Sequence, residues 1–331
     1  MRIFQHPRRI VYQTLRYQLN LQFPPSFIWI QNTQLHHDVQ TPHCIEQLEA
    51  KFNREFKYPW VLLNEEPFSA DFKRRVSVLT DAPISFGLIP REHWFQPDWI
   101  DEKRAQEGRN RLTRQGIIYG GKYRNMCRFN SGFFFQHELL LPYKYYWRVE
   151  PDVRFFCDIS YDPFLYMQDN NKLYGFTIAM PEWEPTITTL WGTIKDFINE
   201  NPQYLSPDNS MDFLSDNAGD TYNLCHFWSN FEIADMDFWR SEAYTKFFEY
   251  LEMTGGFYYE RWGDAPIHSI AVSLFARKDQ LHFFKDIGYR HSPFQHCPQG
   301  KDWRNGHCSC DPNDSFDFSQ NSCLKHFMRL S

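Results

Sequence analysis

The chain has 331 residues, a formal net charge of −6, and 35 Lys and Arg against 41 Asp and Glu, so no global basic field favours a nucleic-acid partner. It is long enough to bury a large α/β core, and it contains no run of about 18 apolar residues of the kind that crosses a membrane. Aromatic residues reach 18%, with 32 Phe, 18 Tyr and 11 Trp, a surplus that both core packing and sugar-binding surfaces can use. In chain order, the apolar run 27–30 predicts a buried strand. A helix follows, with Thr41 as its cap, Pro42 in its first turn and Ile45, Leu48 and Phe52 on its apolar face. Strands are predicted at 60–63 and 85–89, and this strand–helix–strand spacing indicates βαβ units in a mostly parallel α/β sheet. A polar stretch at 98–115 reads as a surface helix, and 145–149 and 174–179 as further strands. An amphipathic helix is predicted at 186–199 and helices at 240–253 and 266–277. The long segment 201–221 reads as a functional lid or a flexible loop. No linker divides the chain, which leaves one domain ending in a cysteine-bearing tail.

Eight cysteines are present, and Cys297, Cys308, Cys310 and Cys323 crowd the polar tail. A segment so poor in apolar residues needs staples, which disulfides supply in an oxidising compartment. A zinc knuckle with His296 or His307 is the competing reading, but Cys308-Ser309-Cys310 is tighter than structural zinc spacing. The sequon Asn313-Asp314-Ser315 agrees with a lumenal surface loop.

Acidic and imidazole groups lie beside apolar segments in four places. Glu150-Pro151-Asp152 follows the run Tyr145-Tyr146-Trp147-Arg148-Val149, and proline ends a strand ladder by removing a donor and fixing φ. Both carboxylates are thereby aimed at the crevice beyond a strand's C-terminal end, where open α/β sheets bind ligands. On these three residues alone, a strand end carrying solvated acids is the favoured reading. Glu232 interrupts an apparently buried segment, which an arginine partner would also explain. Asp264 precedes Pro266 at a helix start and could act as a cap. His291 follows the strand-like Gly288-Tyr289-Arg290. Walker-type, Gly-x-Gly-x-x-Gly, Gly-x-Ser-x-Gly and His-Glu-x-x-His motifs are all absent.

Tyr-Trp-Arg-Val-Glu-Pro-Asp ending at Asp152, the run from Tyr222 to Glu232, and Gly255-Gly256-Phe257-Tyr258-Tyr259-Glu260-Arg261-Trp262-Gly263-Asp264-Ala265-Pro266-Ile267-His268 form a specific set. With Met126 to Phe134 and Asp286 to Tyr289, they resemble the fungal Golgi α-mannosyltransferases that use GDP-mannose, over roughly residues 45–325. The resemblance implies a single-domain GT-A glycosyltransferase fold. A Rossmann-like nucleotide-binding half at about 24–150 would join an acceptor half at 151–296, followed by the cysteine-containing tail 297–331. It also implies the lumenal domain of a type II Golgi protein, touching the membrane only through an anchor outside this chain.

The function implied is retaining transfer of mannose from GDP-mannose to mannose-terminated N- or O-linked glycans on glycoproteins, with α-1,2 linkage as the leading expectation. Glu232 would be the catalytic carboxylate, as nucleophile in a double displacement or as an electrostatic stabiliser in a front-face reaction. His291 and Glu150 would hold Mn²⁺, and Asp152, Glu150 and Asn32 the nucleotide, while Tyr123 and Asp264 would line the acceptor site. The family commonly ends its first strand in Arg-Asn where this chain has Gln31-Asn32, so the guanidinium fork is missing there. That departure motivates the alternative of a catalytically weak, glycan-binding paralogue. A metal-dependent phosphohydrolase, the third possibility, would want a denser set of Asp and His ligands.

Overall fold

A computed structural model describes residues 25–31, 37–118 and 120–329. Asn32 lies outside the described residues, as does the side chain of Gln31. Among the described residues, twelve strands occur in chain order: β1 (Ser26–Gln31), β2 (Trp60–Asn64), β3 (Ile84–Leu88), β4 (Tyr145–Val149), β5 (Arg154–Phe155), β6 (Tyr174–Phe176), β7 (Ala179–Pro181), β8 (Cys225–Phe227), β9 (Phe231–Asp235), β10 (Leu281–Phe283), β11 (Tyr289–His291) and β12 (Phe294–His296).

Seven of these form the central sheet, in the order β10-β6-β9-β4-β1-β2-β3. All neighbours pair in parallel except β9, which runs antiparallel to both β4 and β6. Strand side chains alternate between faces, and both faces here are covered, which is why β1 and β2 read as unbroken apolar runs. Phe27, Trp29, Val61, Leu63 and Tyr146 enter one core, while Ile28, Ile30, Trp60, Leu62 and Trp147 enter the other. Chain order reverses across β1, which has β2 on one side and β4 on the other. The crevice beyond their C-terminal ends is where such sheets bind ligands.

The first predicted helix begins earlier than its sequence signal indicates. It spans His37–Leu48, so Pro42 lies inside it and Thr41 is not its cap. The predicted strand at 174–179 divides into β6 and β7, which belong to different sheets. Segment 201–221 is anchored and not a free lid. A short helix, Met211–Leu214, buries Phe213, whose ring stacks 4.6 Å from Phe227.

The tail cysteines form disulfides, Cys157–Cys308, Cys225–Cys323 and Cys297–Cys310, which disposes of the zinc reading. Two of the three tie the tail to the body, while Cys44 and Cys127 remain as buried thiols. Among the described residues, no helix is long and apolar enough to cross a membrane.

His282, on edge strand β10, yields a prediction about acid stability. Its ring packs 4.7 Å from Tyr166 and 4.6 Å from Phe284. Burial, with Lys172 and Lys285 adding to it, pushes the imidazole down to about 4. The unfolded chain takes up this proton near about pH 6.5, so between the two values it binds more protons than the folded chain. The stability involved is therefore complete above about pH 6.5 and is lost as pH falls towards 4, by on the order of 2–3 kcal/mol. Urea melts of His282→Gln should lose correspondingly less stability between pH 7 and 4.5. Identical losses in the two proteins would remove His282 as the cause.

Candidate active site

A cleft of about 990 Å³ opens beyond the C-terminal end of β4. Its walls include Glu150 and Asp152 from the β4–β5 turn, Trp228 and Ser229 preceding β9, and His291 at the end of β11. Tyr123, Asp264, Glu182, Arg261 and the half-exposed Trp183 complete the other side. Five of the residues singled out from sequence thus meet in one cavity: Glu150, Asp152, His291, Tyr123 and Asp264. Glu232 does not line it.

At its centre is Arg148, a residue to which the sequence reading gave no role. Period-two alternation on β4 puts Tyr146 and Arg148 on the face of Trp29, and the guanidinium lies 5.7 Å above the Trp29 ring. Arg148 donates from Nε and Nη2 to Glu150 Oε1, at 2.9 and 2.6 Å. From Nη1 it donates to Asp264 Oδ2 at 2.5 Å, and the Ser229 hydroxyl donates to the same oxygen at 2.7 Å. Burial opposes the charge of Asp264, but the Arg148 guanidinium prevails and holds its carboxyl below the usual range. Asp264 is the first residue of its helix, with Gly263 at the cap, so its side chain is committed to Arg148 and Ser229.

Glu232 is the cross-strand partner of Arg148 in the β4–β9 register. It is wholly buried, with Oε1 3.9 Å from Arg148 Nη1. The Tyr146 hydroxyl donates to Oε1 at 2.7 Å and the Tyr174 hydroxyl to Oε2 at 3.0 Å, while His268 Nδ1 lies 3.0 Å from Oε2. The structure therefore places Glu232 one layer behind the cleft wall, screened by the arginine.

At the other end of the cleft, His291 Nε2 approaches Asp152 Oδ1 at 3.3 Å, and the Trp228 ring packs edge-on to His291. Burial alone would lower the imidazole, but the carboxylates of Asp152 and Glu150 raise it. Asp152 is the acid within direct reach of His291, while Glu150, which also acts on the imidazole, gives its Oε1 to Arg148. His291 Nδ1 is buried without a hydrogen-bond partner. An imidazole converging with a carboxylate is the mixed N/O donor set that Mn²⁺ accepts. Among the described residues, no group of three or more His, Cys, Asp or Glu forms a metal cage. Two such donors would fill only part of a coordination shell, with room for substrate phosphates.

Tyr123, on the helix Gly121–Gly132, forms the opposite wall. Its hydroxyl accepts from Arg261 Nη1 at 3.2 Å, and Arg261 Nη2 donates to Glu182 at 3.1 Å. Glu182 carries no motif signal, and Arg261, though inside the Gly255–His268 run, is given no role there. Their place in the wall arises when β7 and the 260–264 segment are packed together.

The glycolipid 2-alpha-mannosyltransferase family model matches residues 27–331. The chain belongs to this family. Among family relatives, it is 56% identical over 286 residues to glycolipid 2-alpha-mannosyltransferase 2 of Candida albicans, covering 86% of this chain and 62% of that protein. It is 52% identical to glycolipid 2-alpha-mannosyltransferase of Saccharomyces cerevisiae, covering 86% and 64%. The chain thus spans somewhat under two thirds of the length of these two relatives. Two solved structures of the same architecture superpose closely. The mannosyltransferase Ktr4p of S. cerevisiae in complex with GDP matches with a TM-score of 0.87 at 35% identity, over 100% of this chain and 93% of that one. Core-mannan synthase A of Aspergillus fumigatus, in a Mn/GDP form, matches with a TM-score of 0.85 at 40% identity, over 92% and 84%. The GT-A expectation for the fold stands on these superpositions.

Proposed function

We propose that this family member is a GDP-mannose-dependent α-mannosyltransferase acting on mannose-terminated glycans of glycoproteins. The observation that carries the reading is the division of one cleft into two corners held by a single buried arginine. One corner bears Asp152, His291 and Glu150. The other bears Asp264, Tyr123, Glu182 and Arg261, with Trp183 offering an aromatic face to a sugar. Support comes from relatives named as α-mannosyltransferases and from structural neighbours holding GDP, one of them with Mn.

Mn²⁺ fits the donor set, with His291 and Asp152 holding it and Glu150 nearby. When bound, it would neutralise charge on the leaving diphosphate. The chain's own groups orient the partners: Asp264 and Tyr123 face the acceptor, and Arg148 fixes Asp264 and Glu150. Retention of the anomeric configuration, an α-1,2 linkage and a Golgi lumenal location on an anchor outside these residues complete the proposal. The three disulfides support an oxidising compartment.

Incubation with GDP-mannose, Mn²⁺ and α-methyl mannoside, with the product read by NMR, tests donor, stereochemistry and linkage together. No mannosyl product would sink the reading. His291→Ala should weaken Mn²⁺-dependent GDP binding by at least about 10–100-fold, the cost of disturbing even an outer partner of a metal ligand. Calorimetry that finds the metal dependence intact in this variant would take His291 out of the site.

A further inference from the structure

We propose that His268 is a positioning residue for the transfer, holding Glu232 through a proton that the two side chains share. The inference rests on the mannosyltransferase reading above. His268 lies on the helix Asp264–Phe275, one turn beyond Asp264 and on the same face. Its ring is wholly buried and stacks on Trp239 at 4.3 Å. Nε2 is 3.0 Å from the backbone carbonyl of Asn130, an oxygen that can only accept, so Nε2 carries a hydrogen. Nδ1 is 3.0 Å from Glu232 Oε2, and an ionised carboxylate also only accepts. Without a proton between them, two lone pairs would face each other in a site closed to water. One proton therefore occupies this contact, whichever atom carries it, and the pair is neutral as a unit.

That neutrality removes the cost of burying either charge alone. It also fixes geometry. With the Tyr146 and Tyr174 hydroxyls on its two oxygens, Glu232 cannot turn towards the cleft without breaking three hydrogen bonds. Arg148 is its neighbour on the cleft side, and the helix bearing His268 also delivers Asp264 to that guanidinium. The charged and titratable groups around the pair are Arg148, Asp264, Tyr146, Tyr174 and Tyr244. Loss of the His268 bond would release Glu232 and, with it, the charge balance that sets Arg148 between Glu150 and Asp264.

The test measures kcat and KM for mannosyl transfer by His268→Phe and His268→Gln, per GDP-binding site counted by calorimetry. The phenylalanine keeps the ring stacked on Trp239 but removes both polar contacts. It should lower kcat about 100-fold, the cost of a small misplacement of reacting groups, with KM and GDP affinity unchanged. Glutamine restores a donor towards Glu232 and should recover part of the rate. A kcat per site equal to wild type in the phenylalanine variant would make His268 a packing residue and overturn the proposal. Wild-type protein labelled with ¹⁵N-histidine supplies a readout that survives a misfolded variant. It should show a downfield ring N–H proton that Glu232→Gln shifts, and its absence would overturn the shared proton. Wild-type protein that binds no GDP with Mn²⁺ would instead refute the underlying functional reading, while leaving the NMR result to stand or fall alone.

Discussion

Arg148→Met should destabilise the fold by about 3–5 kcal/mol, the cost of stripping one partner from a buried ionic cluster. Arg148 is 3% exposed, and its guanidinium is the group that Asp264 and Glu150 share. Methionine fills part of the space but leaves those carboxylates, and Glu232 behind them, without the cation that offsets their repulsion. Denaturant titration should show a lower midpoint, and transfer should be lost together with stability. Arg148→Lys should restore charge and part of the stability but not the activity, because an ammonium cannot reproduce the fork that grips Glu150 and Asp264 from different edges. A methionine variant as stable as wild type would mean that the three acids are not held by this arginine.

Glu232→Gln is expected to act differently, sparing the fold and removing the chemistry. The amide is isosteric, can donate to His268 and still accepts from Tyr146. The change replaces the carboxylate behind Arg148, and the proton it shares with His268, with a neutral amide. We expect kcat to fall by about 100- to 1000-fold, the range for losing one preorganised electrostatic group, with GDP affinity unaltered. The placement of Glu232 favours an electrostatic contribution over direct attack, since its oxygens are occupied by Tyr146, Tyr174 and His268 and Arg148 stands on its cleft side. Turnover near that of wild type would make Glu232 a satisfied core acid. Trapping of a mannosyl adduct on Glu232 would show instead that the network opens during turnover.

Much of the sheet was legible because its strands are buried on both faces: 27–30 and 60–63 are unbroken apolar runs in the sequence and β1 and β2 in the structure. The first helix was misplaced because Thr41-Pro42 imitates a helix start, although the helix passes through it. Segment 201–221 looked loose because its polar residues outnumber the few, such as Phe213, that anchor it. The site divides in the same way. Glu150, Asp152, Tyr123, Asp264 and His291 could be singled out in sequence, and all five face one cleft. What stayed hidden was depth. That Glu232 sits behind the wall and Arg148 in it follows from the β4–β9 register, a long-range pairing with no local signature. Alternation from Tyr146 through Arg148 to Glu150 was the one clue that would have marked Arg148.

Asn321, two residues before Cys323, lines the cleft, and Cys323 is bonded to Cys225, 98 positions earlier. A ribosome must therefore deliver nearly the whole tail before this wall can exist. A cut behind Gly300 would leave residues 301–331 tethered through Cys157–Cys308, Cys225–Cys323 and Cys297–Cys310, so this part of the wall can be lost only when those bonds are also reduced. A nicked preparation can thus keep its mass without reductant and lose its binding surface as soon as thiol is added, so mass measured after reduction belongs beside any measurement of activity.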